Sequence, residues 1–224
     1  LCGALEFAEK ISKVGIQPII GTQINFKLDD TIGLLPLFAL NEIGYKRIIE
    51  LSSLSYLYND GVSDPHLNFE ELLKNNEGVA IFSGTINGLV GQLFNKGKFS
   101  EIEKLYSKLK QKYGDKFYIE IQRHGDQNEI SFEKFNLSQS LNLEISIIAT
   151  NEVFYSNKDM YEAHDALICI KNKTYVNEKN RIKYSNQHYL KDNSEMSELF
   201  SDFPEALENN YNFPYRCNFR PHFS

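Results

Sequence analysis

The polar residues that follow the predicted buried strands are the first candidates for chemistry, because reactive groups in β/α folds lie just past the carboxyl ends of the strands. A hydrolytic metal site needs about three His, Asp, Glu or Cys ligands per ion. His124 and Glu152 are the two strand-end groups of that kind, and the others are mostly amides and hydroxyls. The strand-end residues are Gln23, Asn25, Ser83, Thr85, Asn87, Gln122, Arg123, His124, Asn151, Glu152 and Phe154.

The strand-end histidine and carboxylate each allow two interpretations. His124, in the run Gln-Arg-His-Gly, fits a metal ligand or phosphate contact, and it equally fits an ordinary hydrogen-bonding loop residue. Glu152 follows Ala-Thr-Asn, a position suited to function, but a single carboxylate cannot support metal-dependent catalysis alone. Both interpretations stay open at this point.

The remaining reactive residue types have simpler explanations. His164 and Asp165 fit a helix face or a helix cap, and His66 fits a solvated loop. Ser83 lacks the GxSxG context of a serine nucleophile. The sequence therefore predicts no serine hydrolase.

The cysteines point to reduced thiols in the cytoplasm. There are three of them, Cys2, Cys169 and Cys217, which is an odd number, and none forms a CxxC pair. Cys169 lies on an apolar helix face, so we interpret it as a core residue.

Short apolar runs alternate with amphipathic runs along the chain. The predicted strands are residues 18–24, 34–40, 79–82, 117–121 and 145–149. A helix is predicted in the first dozen residues, and others begin at the caps Asn41 and Asn68 and at a Ser100/Glu103 capping box. Residues 132–141 and 159–170 are predicted helices, the latter with an apolar face that includes Leu167 and Ile170. Residues 59–66 are predicted to form a loop. Short helices are predicted to start at Ser194 and at Asp202 or Phe203.

This alternation predicts an α/β fold with a mainly parallel sheet, either doubly wound or closed as a barrel. Neither GxGxxG nor GxxxxGK[ST] occurs, so a nucleotide-binding open sheet is disfavoured and barrel closure is preferred. Five strands are fewer than the roughly eight of a usual closed barrel. Because the chain also begins at Leu1 rather than Met, we expect it to lack N-terminal sequence.

The overall charge excludes some classes of partner. The 224 residues carry 24 Lys and Arg against 30 Asp and Glu, a net charge of −6, so there is no general attraction for nucleic-acid phosphates or anionic lipid. No apolar stretch approaches the roughly 18 residues of a membrane span. Residues 171–183 are locally basic and fit a nucleic-acid backbone contact or a solvated loop. Their basic residues are Lys171, Lys173, Lys179, Arg181 and Lys183.

Eight segments, in their order and spacing, make the chain resemble a known family. It is similar to the PHP (polymerase and histidinol phosphatase) domain of the alpha subunit of bacterial DNA polymerase III, a C-family replicative polymerase. The segments are LCGALEF at 1–7, PIIGTQ at 18–23, NEIGY at 41–45, FSG at 82–84, IEIQRHG at 119–125, ATNE at 149–152, EAHDAL at 162–167, and FPEAL at 203–207 through Arg216-Cys217.

The resemblance implies a distorted seven-stranded β/α barrel whose first strands precede this chain. Residues 1–172 would form the barrel domain, and residues 173–224 the C-terminal part of the PHP region that leads towards the polymerase palm. The resemblance covers nearly the whole chain.

The resemblance also implies a degenerate metal site. Metal-binding members carry an acid after the Gly-Thr turn, a His or Cys after the Ser-Gly strand end, and Asp-x-His after Ala-Thr-Asn. The corresponding residues here are Gln23, Thr85, and Glu152 with Phe154, and His124 completes the set. No cofactor is then expected in this domain, and Zn²⁺ or Mn²⁺ would bind, through Glu152 and His124, only in a functional site.

The implied function is a non-catalytic scaffold that docks the proofreading exonuclease (epsilon) subunit. The parent chain would be a Mg²⁺-dependent DNA-directed DNA polymerase, with the other polymerase domains, the sliding clamp and DNA as partners and no membrane. One alternative is a metal-dependent PHP phosphoesterase or 3′–5′ exonuclease, in which ligands from the absent N-terminal segment join Glu152 and His124. The other is an unrelated β/α-barrel enzyme acting on a small phosphorylated substrate. The second alternative would need a phosphate-binding glycine turn late in the barrel, and the sequence has none.

Overall fold

Helices and strands alternate through most of the chain in the computed structural model, which describes residues 3–59 and 61–221. The helices of the described residues are α1 (Ala4–Lys13), α2 (Glu42–Leu57), α3 (Phe69–Lys74), α4 (Leu89–Asn95), α5 (Phe99–Tyr113), α6 (Glu129–Leu143), α7 (Tyr161–Asn172), α8 (Asn193–Leu199) and α9 (Pro204–Asn212). The strands are β1 (Gly21–Leu28), β2 (Thr31–Ala39), β3 (His66–Asn68), β4 (Val79–Phe82), β5 (Phe117–Ile121) and β6 (Ile147–Ala149).

The six strands of the described residues form one sheet in the order β3-β1-β2-β4-β5-β6. β2 is antiparallel to both of its neighbours, and the other pairs are parallel. Five strands therefore run in one direction with β2 reversed between them. The carboxyl ends of β4, β5 and β6 lie side by side at one edge of the sheet.

Both faces of β4, β5 and β6 are buried, as continuous apolar strands predict. Successive side chains of a strand point to opposite faces. Val79 and Ile81 accordingly join the main core, while Ala80 and Phe82 join a second core on the other face. Phe213 packs against Phe82 in that second core, with ring centroids 5.1 Å apart. The C-terminal residues thus cover a face of the sheet.

Barrel closure is not confirmed by the described residues. Their sheet has β3 at one edge and β6 at the other, and these two strands are not paired with each other, so the sheet is not closed. The mixed α/β architecture is established and is consistent with a PHP fold, while the seventh strand and closure stay predictions.

Several local predictions are confirmed and others are wrong. The Asn41 side chain caps α2 by accepting a hydrogen bond from the Gly44 N–H at 2.9 Å. The capping box is wrong, because α5 begins at Phe99 and Ser100 already lies inside its first turn. His66 was expected in a loop but begins β3, where it pairs with Asn25.

The predicted apolar face of α7 is also wrong. Leu167 and Ile170 are 60% and 74% exposed, whereas Asp165 and Cys169 on the same helix are buried. The cause is Arg181, which donates two hydrogen bonds to the Asp165 carboxylate at 2.6 and 2.7 Å and so neutralises the buried charge. The thiols of Cys169 and Cys217 are buried and free.

Cys2 lies outside the described residues. Across residues 3–59 and 61–221, no helix is both long enough and apolar enough to cross a membrane.

Candidate functional site

Three loops meet at the shared carboxyl edge of β4, β5 and β6. Gly33 in β2 helps to shape this region, because a Cβ there would lie 2.5 Å from the Leu89 Cα and would push α4 away from the sheet. The loops begin at Ser83, Gln122 and Thr150, and residues 184–191 lie against the third of them. The site is therefore built by chain segments far apart in sequence.

His124 is buried, with partners at both ring nitrogens. Nδ1 lies 3.4 Å from a Glu129 carboxylate oxygen, whose other oxygen accepts the backbone N–H groups of His124 and Gly125 at 2.8 and 2.7 Å. Nε2 lies 3.2 Å from the Glu152 backbone N and 3.1 Å from the Asn151 side-chain oxygen. Nε2 accepts from the first partner or donates to the second, depending on the tautomer.

His188 is the central residue of the site, and sequence reasoning missed it. Its ring lies parallel to His124, with centroids 4.1 Å apart and 4° between the planes. Phe154 stacks on its other face at 4.8 Å and 21°. Nδ1 lies 3.2 Å from the Glu152 carbonyl oxygen, and Nε2 lies 3.6 Å from Asp126 Oδ2. His188 is thus enclosed in a stack of rings.

The pKa values of the two carboxylates beside His188 are shifted in opposite directions. The facing His188 imidazole, and more weakly that of His124, lower the pKa of Asp126. Burial raises the pKa of Glu152, with the two imidazoles partly opposing it. Asp126 is consequently the more firmly ionised group, and the site holds negative charge next to two histidines.

His124, Asp126 and His188 each place one possible ligand atom within 4.8 Å of the other two, a spacing that could hold a metal ion. An imidazole binds a metal through a lone pair in its ring plane, with nitrogen about 2 Å from the ion. Because the two rings are stacked, one ion cannot lie in both ring planes. A site that used Asp126 and one imidazole would have two ligands, so these three residues in this arrangement do not form a complete metal centre by themselves.

The structure brings some predicted site residues together and separates others. His124, Glu152 and Phe154 meet around His188. Thr85 is used within its own turn, where its hydroxyl accepts the Asn87 N–H at 3.1 Å. Gln23 was expected after a strand but lies exposed within β1, which β2 separates from β4.

The other candidates have structural partners. Ser83 is buried and accepts the Glu120 backbone N–H at 2.9 Å. His164 stacks on Phe154 with centroids 5.3 Å apart. Arg181 of the basic tract is committed to Asp165, and a nucleic-acid contact by the rest of that tract stays a prediction.

Asp126 and His188 are the residues that sequence reasoning missed. Asp126 could have been found, because it follows His124 by two residues at a strand end. His188 lies in a polar stretch with no periodic pattern, 64 residues after His124. Its place in the stack depends on how that stretch folds back.

The fold and this edge of the sheet define the class of protein. The sequence model of the PHP domain matches residues 1–124, so the chain belongs to the PHP domain family. Similar curated proteins are named DNA polymerase III subunit alpha. That of Rickettsia conorii is 38% identical over 99% of this chain and 19% of its own length.

Two further relatives carry the same name. The Caulobacter vibrioides protein is 33% identical over 99% of this chain and 20% of its own length. The Vibrio cholerae protein is 32% identical over 97% of this chain and 19% of its own length. The chain therefore spans about a fifth of the length of the curated relatives it matches.

Proposed function

We propose that this chain is the PHP domain of a replicative DNA polymerase alpha subunit, and that its PHP site is a non-catalytic part of a scaffold. The similarity to DNA polymerase III subunit alpha over nearly the whole chain supports the first part. The stacking of His124 on His188 supports the second, because it keeps two potential ligands from sharing an ion.

The replacement of potential ligands supports the same proposal. Phe154 offers no donor atom and fills the space beside His188 with an apolar ring. Thr85 is held in a local turn, and Gln23 lies on a different part of the sheet. A carboxylate and an imidazole remain, Glu152 and His124. His124 Nε2 lies 3.2 Å from the Glu152 backbone N, and the Glu152 carboxylate lies 3.9 Å from His188 Nδ1.

The parent polypeptide is proposed to carry template-directed DNA synthesis in its other domains, with Mg²⁺ there and with DNA and the sliding clamp as partners. The proofreading exonuclease subunit is proposed to dock on the PHP domain. The net charge of −6 is compatible with this role, since a protein partner does not require the basic surface that DNA does.

A metal-dependent phosphoesterase or 3′–5′ exonuclease is the second candidate. The observation that favours it is the gathering of His124, Asp126 and His188, three ligand types within 4.8 Å. It would require the imidazoles to unstack so that both could point at one Zn²⁺ or Mn²⁺.

Metal analysis together with a 3′–5′ exonuclease assay separates the two candidates. Both are run on the full-length natural polypeptide, without the proofreading subunit, for the wild type, Glu152→Ala, His188→Ala and the partly exposed control Glu101→Ala. We expect the bound Zn and Mn content of the wild type to be unchanged in Glu152→Ala and His188→Ala. We also expect no exonuclease activity in any of the proteins. Stoichiometric metal that is lost with activity in His188→Ala but kept in Glu101→Ala would establish the enzyme and contradict the scaffold.

Docking is tested separately by the binding of the purified proofreading subunit. We expect the wild type and Glu152→Ala to bind it with the same affinity, because a scaffold does not depend on the former metal position. A wild-type polypeptide that fails to bind would contradict the docking role and leave the result on metal unaffected.

A further inference from the structure

A hydrogen-bonded network with an unpaired buried polar atom at each end lies beneath the site. The Glu120 backbone N–H donates to the Ser83 hydroxyl at 2.9 Å, and that hydroxyl faces the Tyr106 oxygen. The Tyr106 hydroxyl donates to Asn136 Oδ1 at 2.8 Å. The chain of contacts starts at the backbone of Glu120 and ends at the amide of Asn136.

Both ends of this network carry a buried polar atom without a partner. Within the described residues, Glu120 Oε2 and Asn136 Nδ2 are enclosed and make no hydrogen bond. The other Glu120 oxygen, Oε1, is satisfied by the Thr150 hydroxyl and by the Gln122 amide. Because an unpaired buried polar group costs about 1–3 kcal/mol, two of them on residues that line one cavity point to a small polar ligand there.

A small cavity adjoins both orphaned groups. Its lining includes Glu120, Asn136, Gly84 and Phe132, and it leaves about 10 Å³ for the centre of a water-sized sphere. One water needs about 10–15 Å³ by this measure and two or more polar partners. The cavity has space for one water molecule and has the polar partners to hold it.

We propose that one internal water molecule binds in this cavity, accepts a hydrogen bond from Asn136 Nδ2 and donates one to Glu120 Oε2. It closes a ring that runs through Glu120, Ser83, Tyr106, Asn136 and the water. Every hydroxyl in the ring then both accepts and donates.

The donor pattern selects water over a cation. The Asn136 amide orientation is fixed by Tyr106, whose hydroxyl donates to Oδ1 and leaves the NH₂ group facing the cavity. An N–H donor repels a cation, whereas a water accepts from it and still donates to a carboxylate. The same water can donate to a charged Glu120 or accept from a protonated one.

The ring connects the elements that position the candidate site. Ser83 follows β4, Glu120 lies in β5, and Tyr106 and Asn136 come from α5 and α6. Through Thr150, the Glu120 carboxyl also holds the loop that carries Asn151 and Glu152. The bound water therefore stabilises the arrangement of three strand ends from below.

The test is a structure of the full-length natural polypeptide at a resolution that shows ordered solvent. We expect a water peak within hydrogen-bond distance of both Glu120 Oε2 and Asn136 Nδ2. An empty cavity, or a direct hydrogen bond between Glu120 and Asn136, would overturn the proposal.

A pair of variants on α6 gives a second readout. Asn136→Leu has a similar volume and removes the donor, so we expect the water peak to disappear and the melting temperature to fall. Asn142→Leu, an exposed position on the same helix, is expected to keep both unchanged. A water that stays in place in the folded Asn136→Leu protein would contradict its dependence on the amide.

Discussion

His188 is a fully buried side chain at the centre of the candidate site. Its ring is held between His124 and Phe154, and a phenyl ring has no lone pair to offer a metal. Aromatic stacking and burial stabilise the three rings together, by about 0.5–1.5 kcal/mol per pair beyond the area that they bury. The same contacts that make this cluster stable keep the imidazoles from converging on an ion.

Glu120 is the residue at which we expect the clearest pH dependence. Burial raises its pKa to about 7 from about 4.5, opposed by the Thr150 and Gln122 hydrogen bonds and supported by the nearby Glu152 charge. The folded chain therefore keeps a proton that the unfolded chain has already released. This contribution is complete below about pH 4.5 and is lost as the pH rises through about 7.

Glu120→Gln tests this assignment. The free energy of unfolding of the wild type, relative to the variant, is expected to fall by on the order of 3 kcal/mol between those pH values. Urea unfolding at a series of pH values measures it, with the exposed Glu208→Gln as the control that should follow the wild type. Parallel pH profiles for the wild type and Glu120→Gln would show that Glu120 ionises normally.

At the scale of elements, Arg123 connects the end of β5 to α6 and to the segment after α8. Its guanidinium donates paired hydrogen bonds to Glu133 at 2.7 and 2.9 Å and to Asp202 at the same two distances. It also donates to the Leu199 carbonyl oxygen at 2.7 Å and lies 5.0 Å from the Phe200 ring centroid. A residue that looked like a catalytic candidate in sequence thus holds helices together.

We expect Arg123→Ala to lower the free energy of unfolding by about 2–3 kcal/mol, since it leaves the Glu133 carboxylate, whose side chain is 16% exposed, without its ion-pair partner. Arg123→Lys should cost less but not restore the wild type, because an ammonium group cannot form the double fork. Denaturant unfolding measures both, and amide exchange should quicken across residues 193–212.

The exposed Lys10–Glu6 pair provides the matched control for Arg123. Both side chains of that pair are about 70% exposed, at 72% and 69%. Lys10→Ala is therefore expected to change stability by less than about 1 kcal/mol. An Arg123→Ala effect no larger than that of Lys10→Ala would show that the fork contributes little.

For the whole molecule, the last fifty residues matter because they complete both cores. Phe200 and Ala206 are buried in the main core, and Phe213 and Cys217 in the second core on the opposite face of the sheet. Arg216 adds a polar anchor by donating to the Tyr118 hydroxyl at 2.6 Å. The boundary proposed at residue 172 stays a prediction, and these contacts suggest how to test it.

A chain that ends at residue 192 loses all four of those buried side chains. We expect it to bind a hydrophobic dye and to lose cooperative thermal unfolding, because burying one large apolar side chain contributes about 1.5–3 kcal/mol. A chain that ends at residue 221 keeps them and is the control. Sharp, cooperative unfolding of the shorter chain would show that residues 1–192 fold without the four side chains.

Local signals in the sequence were sufficient for most of the elements. The apolar runs at 79–82 and 117–121 match β4 and β5 to the residue, and Asn41 caps α2 as its side chain predicts. Errors arose where a distant contact overrides a local pattern. The polar inner face of α7 depends on Arg181, sixteen residues after Asp165, and no periodicity within the helix contains that information.

Residue order and local periodicity were enough to identify the family, the alternation of strands and helices, and the presence of His124, Glu152 and Phe154 at one edge. They did not show that His188 stacks between His124 and Phe154, that Gln23 lies apart from them, or that Glu120 and Asn136 line one cavity. Ring stacking, strand order and burial arise from contacts between residues far apart along the chain, and such contacts leave no local pattern to read.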